Sequence, residues 1–146
     1  DVKPDNILIR TDGTVAIIDL GIVREEGVSG VTATGSPFGP CTALYASPEQ
    51  ARNDKRNISF KSDFFSIGVV AYELVAGEHP FGLPTDPFFD VLSRVQTLVP
   101  PTLVKRKLAA QAFSDFIGKL MEKQPYRRHR TLAQLQQDLT SLLPSP

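Results

Sequence analysis

Cross-linking, metal chelation and bulk charge have little to work with in this chain. Of its 146 residues one is a cysteine, two are histidines and none is a tryptophan. A single thiol excludes an internal disulfide and suits a reducing compartment, so a cytoplasmic setting is expected. Cys41, His79 and His129 have no spacing that would close on a metal ion. Sixteen basic residues cancel sixteen acidic ones, which removes the electrostatic case for nucleic acid or an anionic membrane as partner. The longest uncharged apolar run, Phe64 to Tyr72, stops at Glu73 and falls far short of the roughly 20 residues that cross a bilayer. No membrane segment is expected, and neither internal repeats nor coiled-coil heptads occur. What remains is 41% hydrophobic and 22% charged, the balance of one globular domain able to bury a core.

The chemistry is concentrated at the start. Asp1-Val2-Lys3-Pro4-Asp5-Asn6 is followed 13 residues after Asn6 by Asp19-Leu20-Gly21. Between them, two β-branched apolar runs flank Asp12-Gly13, a dipeptide preferred in tight hairpin turns. A hairpin returns the chain to its start, so Asn6 and Asp19 can lie side by side. Two such oxygen-bearing side chains suit a hard cation like Mg²⁺ that also holds phosphate oxygens. Lys3 can meet a phosphate as a point charge, and Asp1, two residues before it, can orient and deprotonate a hydroxyl.

Further along, Ile22 to Leu44 holds glycines, threonines, serines and prolines without periodicity and reads as a long loop, a kind of segment that is usually functional or disordered. Ser47-Pro48-Glu49-Gln50 has a serine cap, proline at the first helical position and glutamine three residues after the cap. Ser62 reads as the cap of the next helix. From Phe64 to Val75 apolar residues fall on nearly every face, the mark of a helix buried all round, which Gly77 and Pro80 end. Phe88, Val91, Leu92 and Val95 form one helical stripe, and Phe113, Phe116, Ile117, Leu120 and Met121 form another. Thr131 with Gln134 makes a second capping box, and Leu132, Leu135, Leu139 and Leu142 give the last helix its buried side.

The ordered series D-x-K-P-x-x-N, D-L-G, Tyr45-Ala46-Ser47-Pro48-Glu49, Asp63 to Gly68, Gly77-Glu78-His79-Pro80-Phe81 and Arg128 resembles the eukaryotic-type serine/threonine protein kinases, bacterial members included. The resemblance implies a mainly α (α+β) fold. The implied architecture is that of the larger, C-terminal lobe of a kinase: a β-hairpin, a long activation loop and about five helices around a buried central helix. Residues 1–143 would form that lobe, and 144–146 would begin a linker. Glycine-rich loop, strand lysine and helix glutamate are not found, so the chain is expected to be a fragment whose activity needs the missing smaller lobe.

The same resemblance implies roles. Asp1 is the catalytic base and Lys3 meets the γ-phosphate of ATP. Asn6 and Asp19 hold Mg²⁺ or Mn²⁺ across the phosphates. Thr42 hydrogen-bonds Asp1 and Lys3, as in the Ser/Thr-specific branch, and the partner is a protein with Ser/Thr hydroxyls. Thr32 and Thr34 resemble autophosphorylated positions of bacterial relatives. Asp63 holds the catalytic loop. Glu49 pairs with the family's late arginine, which Pro125 sets as Arg128, with Arg127 and Arg130 as alternatives. Five positions depart from the pattern: Leu20 replaces a phenylalanine, Cys41 a glycine, Phe65 a tryptophan, Gln124 an aspartate and His129 a proline. The rival reading is a pseudokinase or docking module that keeps the fold without the chemistry.

Overall fold

A computed structural model describes residues 1–18 and 40–143, with the side chains of residues 40–42 outside that description. A 3₁₀ turn at Pro4–Asn6 leads into β1 (Ile7–Ile9) and β2 (Val15–Ile17). Six helices follow among the described residues. These are α1 (Pro40–Tyr45), α2 (Pro48–Ala51), α3 (Phe60–Ala76), α4 (Phe88–Thr97), α5 (Gln111–Leu120) and α6 (Leu132–Thr140), with a second 3₁₀ turn at Pro125–Arg127 before the last.

The strands pair antiparallel, with Ile7 opposite Ile17 and Ile9 opposite Val15. Their connection is one residue longer than the tightest hairpin. Arg10 N donates to Thr14 O (2.8 Å) and Gly13 N to Arg10 O (2.9 Å), which leaves Thr11, Asp12 and Gly13 in the loop. Gly13 sits at φ +82°, the left-handed position a three-residue hairpin loop needs and a side chain would resist. One more ladder bond, Ile18 N to Asn6 O at 3.0 Å, brings the end of β2 back beside Asn6.

The central helix begins earlier than its sequence suggested. Ser59, not Ser62, is the cap: its Oγ accepts from Lys61 N, while Ser62 Oγ accepts from Ser59 N. Ser62 supplies the other half of the capping box, because a serine three residues into a helix can reach back as glutamate or glutamine does. At the far end Gly77, at φ +71°, donates to Glu73 O and closes the helix. Phe65 and Val69 of α3 are fully buried against Phe81, Val95, Leu103, Ile117 and Leu120. Phe65 and Phe81 stack with ring centres 5.9 Å apart.

Burial all round holds for most of α3 but fails along one stripe. Phe60, Ile67 and Leu74, spaced seven apart, are exposed, Leu74 at 79%, because no described element covers that side. The last helix is likewise less buried than its leucines suggested: Leu135 is buried, but Leu132 and Leu139 face solvent. Its cap is also offset, since Thr131 Oγ1 accepts from Gln134 N while the Gln134 amide oxygen accepts from Arg130 N rather than from Thr131. Pro40 to Leu44, expected as the end of the long loop, is helical. Proline is compatible with a first helical turn, and Ala43 and Leu44 join the core cluster.

Candidate catalytic site and its anchor

Pro4 starts the 3₁₀ turn that turns the opening segment back on itself, with Asn6 N donating to Lys3 O (3.0 Å). The turn brings three of the expected site residues together. Lys3 Nζ lies 3.0 Å from Asp1 Oδ2, and neither side chain is fully exposed. Asn6 is buried, and its Nδ2 donates to the backbone oxygen of Asp1 at 2.8 Å, with Asp1 Oδ2 at 3.4 Å. The amide nitrogen is thus engaged in holding the loop. That leaves the Asn6 carbonyl oxygen, a hard donor of the kind Mg²⁺ takes.

Asp19, Thr32 and Thr34 lie outside the described residues, as does the side chain of Thr42, whose backbone belongs to α1. Among the described residues no group of three His, Cys, Asp or Glu side chains could hold a metal ion. Asp63 keeps an exposed surface, yet desolvation of its carboxyl pushes the pKa up. Burial is the leading cause of that shift.

Among the described residues Glu49 and Arg128 form an ion pair in which both side chains are fully buried. Arg128 Nη1 donates to Glu49 Oε1 at 2.7 Å and Nη2 to Oε2 at 2.9 Å, a two-pronged contact. Both side chains are 0% exposed. The remaining polar atoms are satisfied as a buried charge requires. Ser62 Oγ donates to Glu49 Oε1 (2.8 Å). Arg128 also donates to the backbone oxygens of Lys61 and Glu122, both at 2.8 Å, and its guanidinium lies 5.0 Å from the Phe65 ring centre. Burial alone would raise the Glu49 pKa, but the hydrogen bonds and charge of Arg128 outweigh it and hold the carboxyl below its ordinary value. Arg127 and Arg130 remain exposed, Arg127 no nearer than 4.0 Å to the Glu122 carboxylate.

Three participants have no signature in the sequence. Ser62 looked like a cap and instead also serves Glu49. Lys123 Nζ donates to Val95 O at 2.7 Å and sits 4.2 Å from the Phe81 ring centre. His129 is fully buried against Phe64 and Phe116, with Nε2 3.1 Å from Asp138 Oδ2. Alternation and spacing locate apolar stripes, but they do not say which backbone oxygens a buried cation will meet.

The protein kinase domain model matches residues 1–139. A probable serine/threonine-protein kinase of Clostridium perfringens is 33% identical over the whole chain, which covers 21% of that relative. The serine/threonine-protein kinase PknB of Mycobacterium tuberculosis is 37% identical over 95% of the chain and 22% of the relative. The chain therefore spans about a fifth of the length of these curated relatives. Among solved structures, the twitchin kinase region from C. elegans aligns over the whole chain and 25% of its own, with a TM-score of 0.71 and 24% identity, a likeness of fold.

Proposed function

The chain belongs to the protein kinase domain family, and on that premise we propose that residues 1–143 form the larger lobe of a serine/threonine protein kinase. Its reaction is transfer of the ATP γ-phosphoryl group to a protein serine or threonine hydroxyl. The observation that carries this reading is the cluster of Asp1, Lys3 and Asn6 at the open end of the hairpin. Mg-ATP, when bound, supplies the phosphoryl group and the cation that neutralises its charge.

The chain's own residues do the positioning. Asp1 accepts the proton of the attacking hydroxyl. Lys3, with three donors on one ammonium, can keep Asp1 and reach a phosphate oxygen together. Asn6 offers its carbonyl oxygen to the metal, with Asp19 as the second ligand. Thr42 would link the activation segment to Asp1 and Lys3, and Asp63 would steady the catalytic loop. Thr32 and Thr34 would accept a regulatory phosphate, adding roughly −1.5 to −2 charge. The exposed apolar hairpin residues Leu8, Ile9, Val15, Ile17 and Ile18 support a smaller lobe above them, since a patch of that kind is normally covered. A cytoplasmic setting belongs to the same proposal, supported by the single cysteine.

In the full-length protein Asp1→Asn is expected to lower turnover by about 10²- to 10⁴-fold, the range for loss of a general base, with nucleotide affinity retained. Steady-state phosphorylation of a generic Ser/Thr substrate, beside calorimetric titration with Mg-ATP, measures both. Turnover equal to the unsubstituted protein would remove Asp1 from the chemistry.

A further inference from the structure

Between the end of α3, the segment after α4, and α5 there is a cavity of about 130 Å³ that the phosphotransfer reading does not use. Its walls are largely Val99, Pro100, Pro101, Leu103, Ile117 and Met121. Five lining residues are polar or charged: Tyr72, Thr102, Ser114, Glu122 and Lys123. The Tyr72 hydroxyl donates to Pro101 O (2.9 Å) and accepts from Arg106 Nη1 (3.4 Å), and Ser114 Oγ accepts from Val104 N (3.2 Å). Lys123, at the rim, directs its ammonium to Val95 O and the Phe81 ring. The exposed lining is mostly apolar all the same, and apolar cavities of about 150 Å³ take up benzene.

A second observation concerns Gly118, which lines the same cavity. It stands inside α5, where glycine weakens a helix relative to alanine. Close packing does not require it: a Cβ built there meets nothing within 4 Å. Backbone conformation does not require it either, since Gly118 is not among the positive-φ residues. The contrast is Gly68 of α3, where a Cβ would fall 2.8 Å from Leu120 Cβ and Met121 Cγ. Glycine at 118 costs the helix something and leaves the cavity wall open.

We propose that this cavity is a binding site for a small, uncharged monocyclic aromatic molecule, admitted past Gly118. The ring would sit between Pro101, Leu103, Ile117 and Met121, tying α3 to α5 and to the segment that joins α4 and α5. The site is separate from the Asp1 cluster and acts on the protein whether or not phosphotransfer occurs.

Toluene is the probe, with benzoate as its charged counterpart, titrated into the full-length protein. Toluene is expected to raise the melting temperature in a dose-dependent way, by about 2–4 °C near saturation, while benzoate at equal concentration is expected to do little. Gly118→Leu fills the opening and is expected to weaken toluene binding by at least about tenfold, read by calorimetry or ligand-observed NMR. Gly118→Ala adds a single methyl that favours the helix and carries the test should leucine prevent folding; its toluene affinity is expected to fall by a smaller factor. No response of the unsubstituted protein to toluene, equal binding of benzoate, or an unchanged affinity in either variant overturns the proposal.

Discussion

Two ion pairs of nearly equal length mark the two characters of this lobe. Asp1 and Lys3 approach to 3.0 Å and Glu49 and Arg128 to 2.7 Å, yet almost nothing else about them is alike. The first joins residues two apart through one contact, at a partly solvated edge held by a single turn and a short hairpin. The second joins residues 79 apart through two parallel hydrogen bonds, fully dry, with Ser62, two backbone oxygens and the Phe65 ring closing around it. In the proposed reaction the Asp1 carboxylate and the Lys3 ammonium would exchange partners with substrate and phosphate, which a pair that keeps some exposure allows. An anchor has to resist exchange, and desolvation enforces that because any single charge left behind is costly.

The sharpest way to break the contrast is to strand one charge in the dry pair. Arg128→Ala is expected to destabilise the full-length protein by about 3–5 kcal/mol, the range for uncoupling a buried ion pair. Arg127→Ala and Arg130→Ala, both at exposed positions, are expected to stay within about 0.5 kcal/mol. Glu49→Gln combined with Arg128→Met is expected to recover part of the loss, since neither charge is left unpaired. Denaturant melts of the four variants decide the matter: a cost at Arg128 no greater than at its neighbours would mean the pair is not the anchor. Acid offers a second reading. The Glu49 pKa is held low in the folded state, so its contribution is present above the ordinary carboxylate range and is lost as pH falls through the folded value.

The same pair shows how far the sequence was legible. The caps Ser47 and Thr131, the Gly77 stop and the apolar stripes of α3, α4 and α5 could be read because each is a local signal with a fixed period or position. Arg128 could be set apart from two arginines beside it only through the spacing from Pro125 that the family resemblance supplies. Composition alone leaves Arg127, Arg128 and Arg130 equivalent. The exposed stripe of Phe60, Ile67 and Leu74 was not legible, because periodicity reports which faces are apolar and not which faces a neighbour reaches. Nor was the helical end of the long loop, where glycine, serine and proline content outweighed the short apolar stretch that folds as α1. In the opening segment the hairpin follows from turn chemistry, whereas Asn6 was expected beside Asp19, and its hydrogen bond to the backbone oxygen of Asp1 was not foreseen. The long side chains of Lys3 and Lys123 were not legible either, since each has many rotamers and the choice among them is made by distant partners.

A smaller effect is expected where the anchor's support is packed rather than charged. Gly68→Ala brings a methyl into contact with Leu120 and Met121 at 2.8 Å. It should cost about 1–3 kcal/mol by overpacking, although alanine favours a helix. Gly118→Ala, with nothing within 4 Å, is expected to be neutral or stabilising by a few tenths of a kcal/mol up to about 1. Equal effects of the two substitutions in thermal melts would show that α3 and α5 are not locked at Gly68.

The smallest effect sets a third cation beside the two pairs. Among the described residues Lys123 has no acid in contact: its ammonium meets Val95 O and the rings of Phe81 and Phe65. Burial, with the nearby charge of Arg128, lowers its pKa from 10.5 to about 8, and Glu122 offsets only part of this. Between those two values the unfolded chain binds more protons than the folded one, so this group makes stability rise with pH there. Below about 8 the lysine is charged in both states and its penalty is constant. Lys123→Met keeps a flexible apolar chain against the rings and removes the charge. It is expected to stabilise the protein at neutral pH by about 1 kcal/mol, less than the full shift would imply because the side chain still touches water and gives up its ring contact. The gain should shrink as pH rises toward 10. Melts at a series of pH values test it: a gain that does not change between neutral pH and 10 would mean that the Lys123 charge carries no penalty, and that this cation, like Arg128, is fully compensated.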